Sequence, residues 1–99
     1  MKVGFHPLAR RELIAAALYL EGESGLGSAF LDEYERWEKV VCDHPESCPE
    51  IGMGIRKGIL PRFKYLIGYR VRKSGRESEI RVLYIRHHAQ NRIDWGDRG

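Results

Sequence analysis

The spacing of apolar positions changes once along the chain, from a helical period to a strand period. In the first part, a segment from about Pro7 to Glu21 carries apolar residues at helical spacing, namely Leu13, Ile14, Ala17 and Leu18. Residues three or four apart share one helical face, so this pattern predicts a helix. Proline suits a first helical turn, and Gly22 is the expected stop. Residues 2–5 are predicted to form a short strand before it.

A second helix is indicated by an aromatic-rich stripe. Its members follow in steps of three or four: Leu26, Phe30, Tyr34, Trp37 and Val41. Charged residues cover the remaining surface, as expected of a helix with one buried face. His44-Pro45 should end this helix, because the residue before proline is disfavoured in the helical region. The short turn between the helices predicts an antiparallel hairpin.

After Gly52 the period becomes two, which predicts strands. In the first of them, Met53, Ile55 and Ile59 share one face and Gly54, Arg56 and Gly58 the other. The next strand runs over residues 62–72, and a turn at residues 73–76 leads to a last strand over 80–86. That last strand is apolar on both faces, which favours a central position. The sequence thus predicts an α+β fold over residues 1–99, one domain, with an N-terminal strand, a two-helix antiparallel hairpin and an antiparallel β meander.

Charge is divided unevenly between the two halves. Residues 1–50 hold five Lys and Arg against ten Asp and Glu, whereas residues 51–99 hold twelve against four, so the halves carry −5 and +8. Nine of those twelve cations are arginines, which suit bidentate contacts to phosphate or carboxylate. An anionic partner is therefore expected, either nucleic acid or an acidic protein segment.

The polar face of the first two meander strands is the first candidate site. It is predicted to gather five cations, interleaved with Gly54, Gly58 and Gly68: Arg56, Arg62, Lys64, Arg70 and Arg72. Glycine within a strand often marks close approach of a ligand or another backbone. Such a face would suit a phosphodiester backbone, although an ordinary solvated sheet face also carries charge.

The second candidate is the strand end Arg86-His87-His88 and the residues after it. Histidine transfers protons near neutral pH, and a neighbouring arginine stabilises charge that develops on phosphorus. Adjacent histidines in a strand point to opposite sides, so only one of them is expected at a shared site. Cys42, His44 and Cys48 lack a second ligand pair, so neither a metal nor a cofactor is predicted, and both thiols are expected to be reduced.

No apolar run is long enough to span a bilayer, and the first residues lack the apolar stretch of a signal peptide. A cytoplasmic protein is therefore expected.

Several segments resemble the RelE/ParE toxin superfamily of bacterial type II toxin–antitoxin systems. The opening Phe5-His6-Pro7-Leu8-Ala9, a helix with Glu12-Leu13, and the segment from Arg62 to Tyr69 are similar to that family. The end of the chain, with Arg86-His87-His88, Arg92, Trp95 and Arg98, resembles its plasmid stabilisation branch. Lys64 stands where the family has a proline, and Arg92 and Asp94 stand where that branch has Pro and Tyr.

The resemblance implies two alternative activities. RelE-like members cleave messenger RNA on the ribosome, and the residues that would fill catalytic roles here are Arg56, Lys57, Arg62, Arg86 and His87 or His88. ParE-like members bind and inhibit DNA gyrase without hydrolysis. No tyrosine follows Tyr84, unlike in the RelE type, which favours the ParE-like activity. A basic nucleic-acid-binding module without toxicity is the alternative of another class.

Either activity implies a cognate antitoxin as partner. Its segment is expected to fold upon this chain and to carry acidic residues. The residues predicted to bind partners are Arg56, Arg62, Lys64, Arg70, Arg72, Arg92 and Trp95.

Overall fold

A computed structural model describes residues 1–89 and 98. The elements in chain order are β1 (Lys2–Phe5), α1 (Pro7–Ser24), α2 (Gly27–Asp43), β2 (Glu50–Gly52), β3 (Ile55–Leu60), β4 (Tyr65–Ser74) and β5 (Glu77–His87). This order is the predicted α+β arrangement of a strand, a helix hairpin and a sheet. None of the helices in residues 1–89 is both long and apolar enough to cross a membrane.

The five strands form one mixed sheet in the order β1-β5-β4-β3-β2. The last three strands pair antiparallel in sequence, which confirms the predicted meander. The N-terminal strand β1 pairs parallel with β5, with Lys2 opposite Glu79 and Phe5 opposite Val82. The sequence did not predict the short strand β2, which is only three residues long and fully exposed.

The first helix ends later than the sequence predicts. Gly22 lies within α1, and the helix stops at Gly25, whose φ of 70° is left-handed. The Gly25 amide donates to the Glu21 carbonyl at 2.9 Å, and the Leu26 amide donates to the Leu20 carbonyl. A glycine ends a helix where a left-handed backbone lets the following amides donate to the last helical carbonyls. Gly25 meets this condition, and it is followed directly by half-buried Leu26.

The aromatic stripe of α2 packs on the sheet as predicted. Phe30 is fully buried, and its ring lies 5.0 Å from Tyr65 and 5.6 Å from Phe63. Trp37 contacts the Tyr69 ring edge-on at 5.5 Å. These contacts place the core between the hairpin and one face of the sheet, here called the helix side; the opposite face is the outer face.

The prediction for the faces of β3 is wrong. Arg56, Gly58 and Leu60 are paired with Tyr69, Ile67 and Tyr65, so they lie on the helix side. A Cβ on Gly58 would lie 2.7 Å from Cε2 of Trp37, so the glycine leaves the space that the indole fills. Of the residues predicted to share the apolar face, Ile59 and Met53 are 54% and 71% exposed, whereas Ile55 is buried on the outer face. Periodicity gave the alternation correctly, but it does not say which face the helices cover.

Candidate functional site

The outer face is made of rows of side chains that the strand register places side by side. Residues directly opposite each other in a ladder lie on the same face. One row joins Ile55, Arg70, Arg81 and Gly4, and the next joins Arg72, Glu79 and Lys2. Towards the other end of the sheet, Lys57 pairs with Gly68, which pairs with Tyr84.

Cations outnumber carboxylates on the outer face of these strands. By register, the cations of the basic part of this face are Lys2, Lys57, Arg70, Arg72 and Arg81. The carboxylates on the same face of β5 are Glu77 and Glu79, opposite Ser74 and Arg72. Five positive charges against two negative ones leave a surplus of three, apart from Arg86, which the register places on the same face opposite Leu66 but which is paired with Glu12. We call these five cations the basic patch.

The basic patch keeps only part of the predicted set. Arg70 and Arg72 belong to it. Gly68 lies beside Lys57 but is buried, so it does not open the surface as predicted. Arg81 was missed, although it is a charged residue at an alternating position of the last strand. It could have been found by continuing the parity of Arg70 and Arg72 through the turn at Gly75.

Arg56 is not on the basic patch. Its guanidinium donates to the carbonyls of Cys48 at 2.7 Å and Glu46 at 3.2 Å. Beside it, the Tyr69 hydroxyl donates to the Pro45 carbonyl at 2.8 Å. Together these side chains hold the loop between α2 and β2 against the helix side of the sheet.

Arg62 and Lys64 lie in the turn between β3 and β4, not in a strand. Both are exposed, and Lys64 has a left-handed φ of 58°. The Arg62 amide donates to a Glu33 carboxylate oxygen of α2 at 3.1 Å, and its guanidinium lies 5.0 Å from the Phe63 ring centre. The chain reverses where Pro61 follows β3, so the alternation inferred from Arg62 and Lys64 does not apply there.

The end of β5 carries a second cluster, centred on Glu12 of α1. Its carboxylate accepts from Arg98 at 2.6 and 3.0 Å and pairs with the Arg86 guanidinium. It also accepts from the Ile85 amide at 3.1 Å. Arg98 donates to the Leu83 carbonyl as well, and its guanidinium lies 4.4 Å from the Tyr84 ring centre.

This cluster occupies the edge of β5 that β1 leaves free. The ladder with β1 reaches only Val82, whose carbonyl accepts from the His6 amide. Beyond it, Glu12 and Arg98 bond to the main chain as a neighbouring strand would. Glu12 and Arg98 were noted in the sequence only as part of the family resemblance. Their contact could not be predicted, because they are 86 residues apart.

A shallow cleft of about 220 Å³ opens beside this cluster, between α1 and the ends of β4 and β5. Its walls are Glu12, Ala15, Ala16, Tyr19, Tyr65, Ile85 and Arg86. Burial raises the pKa of the Tyr65 phenol above its ordinary value, and the nearby Tyr19 adds to the effect. The Tyr65 hydroxyl therefore stays protonated at neutral pH.

The two histidines lie at the mouth of this region but in different settings. His87 is opposite Tyr65, and the rings meet edge-on with centres 5.2 Å apart. Nδ1 of His87 accepts from the Ala89 amide at 3.1 Å. His88 is exposed, and its amide donates to the Lys64 carbonyl at 2.7 Å. The structure therefore brings Arg62, Lys64, Arg86 and both histidines to one end of the sheet.

Lys57 is on the outer face and Arg56 on the helix side, so these neighbours do not share a site. Arg92 and Trp95 lie outside the described residues. Cys42 and Cys48 are free, half-buried thiols. Within residues 1–89 and 98, no group of three or more His, Cys, Asp or Glu is placed to hold a metal ion.

Comparison with known proteins agrees with this fold. The chain resembles a toxin from Agrobacterium tumefaciens described as YoeB/ParE, with a TM-score of 0.65 and 16% identity over 89% of this chain and 99% of that one. It also resembles a chain of the chromosomal ParDE TA system from P. aeruginosa, with a TM-score of 0.61 and 19% identity over 88% of this chain and 95% of that one. No curated protein sequence matches significantly.

The family assignment comes from the sequence itself. Residues 3–92 match the family model described as the ParE toxin of the type II toxin-antitoxin system, parDE. This match covers the helix hairpin and the whole meander. The chain is thus a member of the ParE toxin family, within the RelE/ParE superfamily, and the toxin half of a type II toxin–antitoxin pair.

Proposed function

We propose that this chain, acting as one toxin domain in the cytoplasm, arrests growth by binding DNA gyrase through the basic patch, without cleaving RNA. The observation that carries the proposal is the excess of cations over carboxylates on the outer face of the sheet. Acidic residues concentrate instead in the first half of the chain. A one-sided field of this kind steers an anionic surface towards the patch.

The shape of the patch supports binding by contact over an area. Lys57, Arg70 and Arg81 sit on strands, whose pleat fixes the spacing of their side chains. Target recognition then needs shape and charge but no proton transfer.

The contacts of the predicted catalytic residues argue against an RNA-cleaving site. Cleavage needs an acid or base and a charge stabiliser within hydrogen-bond reach of one phosphate. Arg86 is paired with Glu12, and Arg56 holds the loop at Cys48 on the helix side. No tyrosine follows Tyr84 in the sequence to serve as a terminal acid.

The test separates the patch from the rest of the surface. Lys57→Gln, Arg72→Gln and Arg81→Gln are compared with wild type and with Lys39→Gln, which removes an exposed charge from α2. We expect the three patch variants to relieve growth arrest and gyrase inhibition, and the control to retain both. Wild-type protein that leaves supercoiling unaffected would refute gyrase as the target.

RNA cleavage is the second candidate, favoured by the meeting of Lys64, His87 and His88 at one end of the sheet. If it occurs, His87 or His88 transfers the proton while Arg62 and Arg86 stabilise charge. Removing one positioned acid or base lowers such rates by roughly 10²–10⁴-fold. Ribosome-dependent transcript cuts that disappear in His87→Ala or His88→Ala, but not in Lys39→Gln, would replace gyrase binding with this activity.

Co-expression with the protein encoded beside this chain tests the antitoxin. We expect that neighbour to restore growth. Normal growth on expression of the chain alone, with neither activity, would support a basic nucleic-acid-binding module in place of a toxin.

A further inference from the structure

We infer that the cleft between α1 and the end of β5 is where the cognate antitoxin is anchored. An amphipathic antitoxin segment would place an apolar side chain between Tyr19 and Tyr65 and a carboxylate on Arg86. This inference rests on the toxin–antitoxin part of the proposed function and not on the choice of cellular target. It differs from the expected contacts at Arg56, Arg62, Arg70 and Arg72.

The first argument is that α1 is apolar on both sides. Its buried side, with Ala9, Ala16 and Ala17, packs in the core. Its opposite side nevertheless exposes large apolar residues, namely Leu8 (43%), Ile14 (51%), Leu18 (68%) and Tyr19 (62%). Ile14 and Leu18 are four residues apart and share a face, as do Ala15 and Tyr19. The two pairs lie side by side and form one exposed apolar stripe. A stripe of this kind matches the apolar face of a partner helix.

The second argument is the shape of the surface beside that stripe. The 220 Å³ cleft is lined by two small residues, Ala15 and Ala16, and by two aromatic residues, Tyr19 and Tyr65. A cleft of this size accommodates one large apolar side chain. Anchoring by a single buried side chain is the usual source of affinity in an interface.

The third argument is charge. The Glu12 cluster has two guanidinium groups, of Arg86 and Arg98, for one carboxylate. Arg98 is 10% exposed whereas Arg86 is 31% exposed, so the surplus positive charge faces the cleft at Arg86. A single carboxylate on the partner would complete the cluster. A nucleic acid is disfavoured, because the exposed charges of α1 are mixed, with Arg10 and Arg11 before the cleft and Glu21 and Glu23 beyond it, and form no continuous basic track for a line of phosphates.

The experiment measures binding of the purified protein encoded beside this chain to four immobilised forms: wild type, Tyr19→Ala, Ala15→Glu and the control Val40→Ala. Val40 is an apolar residue of α2 with 56% exposure. It is about as exposed as Tyr19 but does not line the cleft, so it serves as the control. Because Tyr19 and Ala15 are exposed, both variants should fold and melt like wild type.

We expect Tyr19→Ala to weaken binding at least tenfold and Ala15→Glu to weaken it further, since its carboxylate both fills the cleft and occupies Arg86. Val40→Ala should change the Kd less than twofold. Two further forms test the charge: the association rate of Arg86→Gln should fall less steeply as salt rises, whereas Arg86→Lys should keep the wild-type dependence. Wild-type affinity in both Tyr19→Ala and Ala15→Glu would show that the antitoxin binds elsewhere.

Two further outcomes distinguish this inference from the proposed function. Loss of antitoxin binding in the cleft variants, with gyrase unaffected by the wild type, would sustain the anchor and refute the target. Unchanged antitoxin binding with loss of transcript cleavage would assign the cleft to RNA and overturn the anchor. A wild type that does not bind its neighbour at all would overturn both the antitoxin pairing and the anchor.

Discussion

The two faces of the sheet use the same strands for different purposes. On the helix side, Phe30, Tyr65 and Tyr69 are almost fully buried, and rings pack against rings at 5 to 6 Å. On the outer face, Lys57, Arg70 and Arg72 stand in rows beside a smaller buried apolar cluster made of Ile55, Leu83 and Tyr84. Buried aromatic side chains characterise the helix side, and an excess of positive charge characterises the outer face. Substitutions should therefore alter stability on one face and interaction on the other.

The largest expected effect comes from the helix side. Trp37→Ala should lower the free energy of unfolding by about 3–5 kcal/mol, the range for removing a large aromatic from a core. Trp37 is in contact with Tyr34, Tyr69 and the Gly58 backbone, so its removal leaves a cavity. Urea denaturation measures the difference, with Leu18→Ala, 68% exposed, as control. A variant as stable as the wild type would mean that this contact contributes nothing to the core.

A smaller effect is expected where the two faces meet at the edge of β5. Glu12→Gln should cost about 2–3 kcal/mol, because hydrogen bonds to charged groups are worth roughly 1.5–3 kcal/mol each and several are lost or weakened. Arg98 is left 10% exposed without its carboxylate. Amide exchange checks the cause: the Ile85 amide, which donates to Glu12, should lose protection. Unchanged protection at Ile85 would contradict the edge contact.

Alkaline pH should lower the stability of the protein through two buried tyrosines of the helix side, Tyr34 and Tyr69. Burial and the nearby Glu38 carboxylate raise the pKa of Tyr34, and burial raises that of Tyr69. Above pH about 10 the unfolded tyrosines lose their protons while the folded ones keep them. Stability is thus complete below that pH and falls as pH rises, by about 1.4 kcal/mol per unit for each such tyrosine. Tyr34→Phe should reduce the slope of stability against pH; an unchanged slope would exclude Tyr34 as a contributor.

The outer face should give the smallest change in stability. Arg72→Gln and Arg81→Gln remove charges on the outer face that do not pack in the core between the helices and the sheet. The free energy of unfolding should therefore stay within about 0.5 kcal/mol of wild type. The same variants are expected to relieve growth arrest. Thermal melts and growth curves of the same strains test both statements. A large loss of stability would erase the distinction between the faces.

How far the sequence could predict this structure follows from the same distinction. The helix hairpin and the meander were predictable, because the stripe from Phe30 to Val41 and the alternation from Tyr65 to Val71 record burial directly. The side of β3 was not, since Gly58 lies inside only because Trp37, twenty-one residues earlier, covers it. Arg56, one of the five cations predicted for the basic face, was placed on the wrong side for this reason.

The Glu12 cluster shows the other limit. Glu12, Arg86 and Arg98 come together through the packing of α1 along the edge of β5, a contact across most of the chain. Charge counts and periodicity contain no information on such a pair. The sequence therefore predicted a site at the strand end, but not which residues Arg86 contacts there.

The pairing of β1 with β5 has a consequence for the order in which the chain becomes structured. Lys2 to Phe5 find their strand partner only in Glu79 to Val82, so the loop between them spans most of the sequence. Closing so long a loop costs entropy before it gains any contact, and this slows folding. During synthesis, the first strand has no ladder to join until the last strand has left the ribosome. The basic rows that include Lys2 are then among the last parts of the molecule to form, and a nascent chain cannot yet present them.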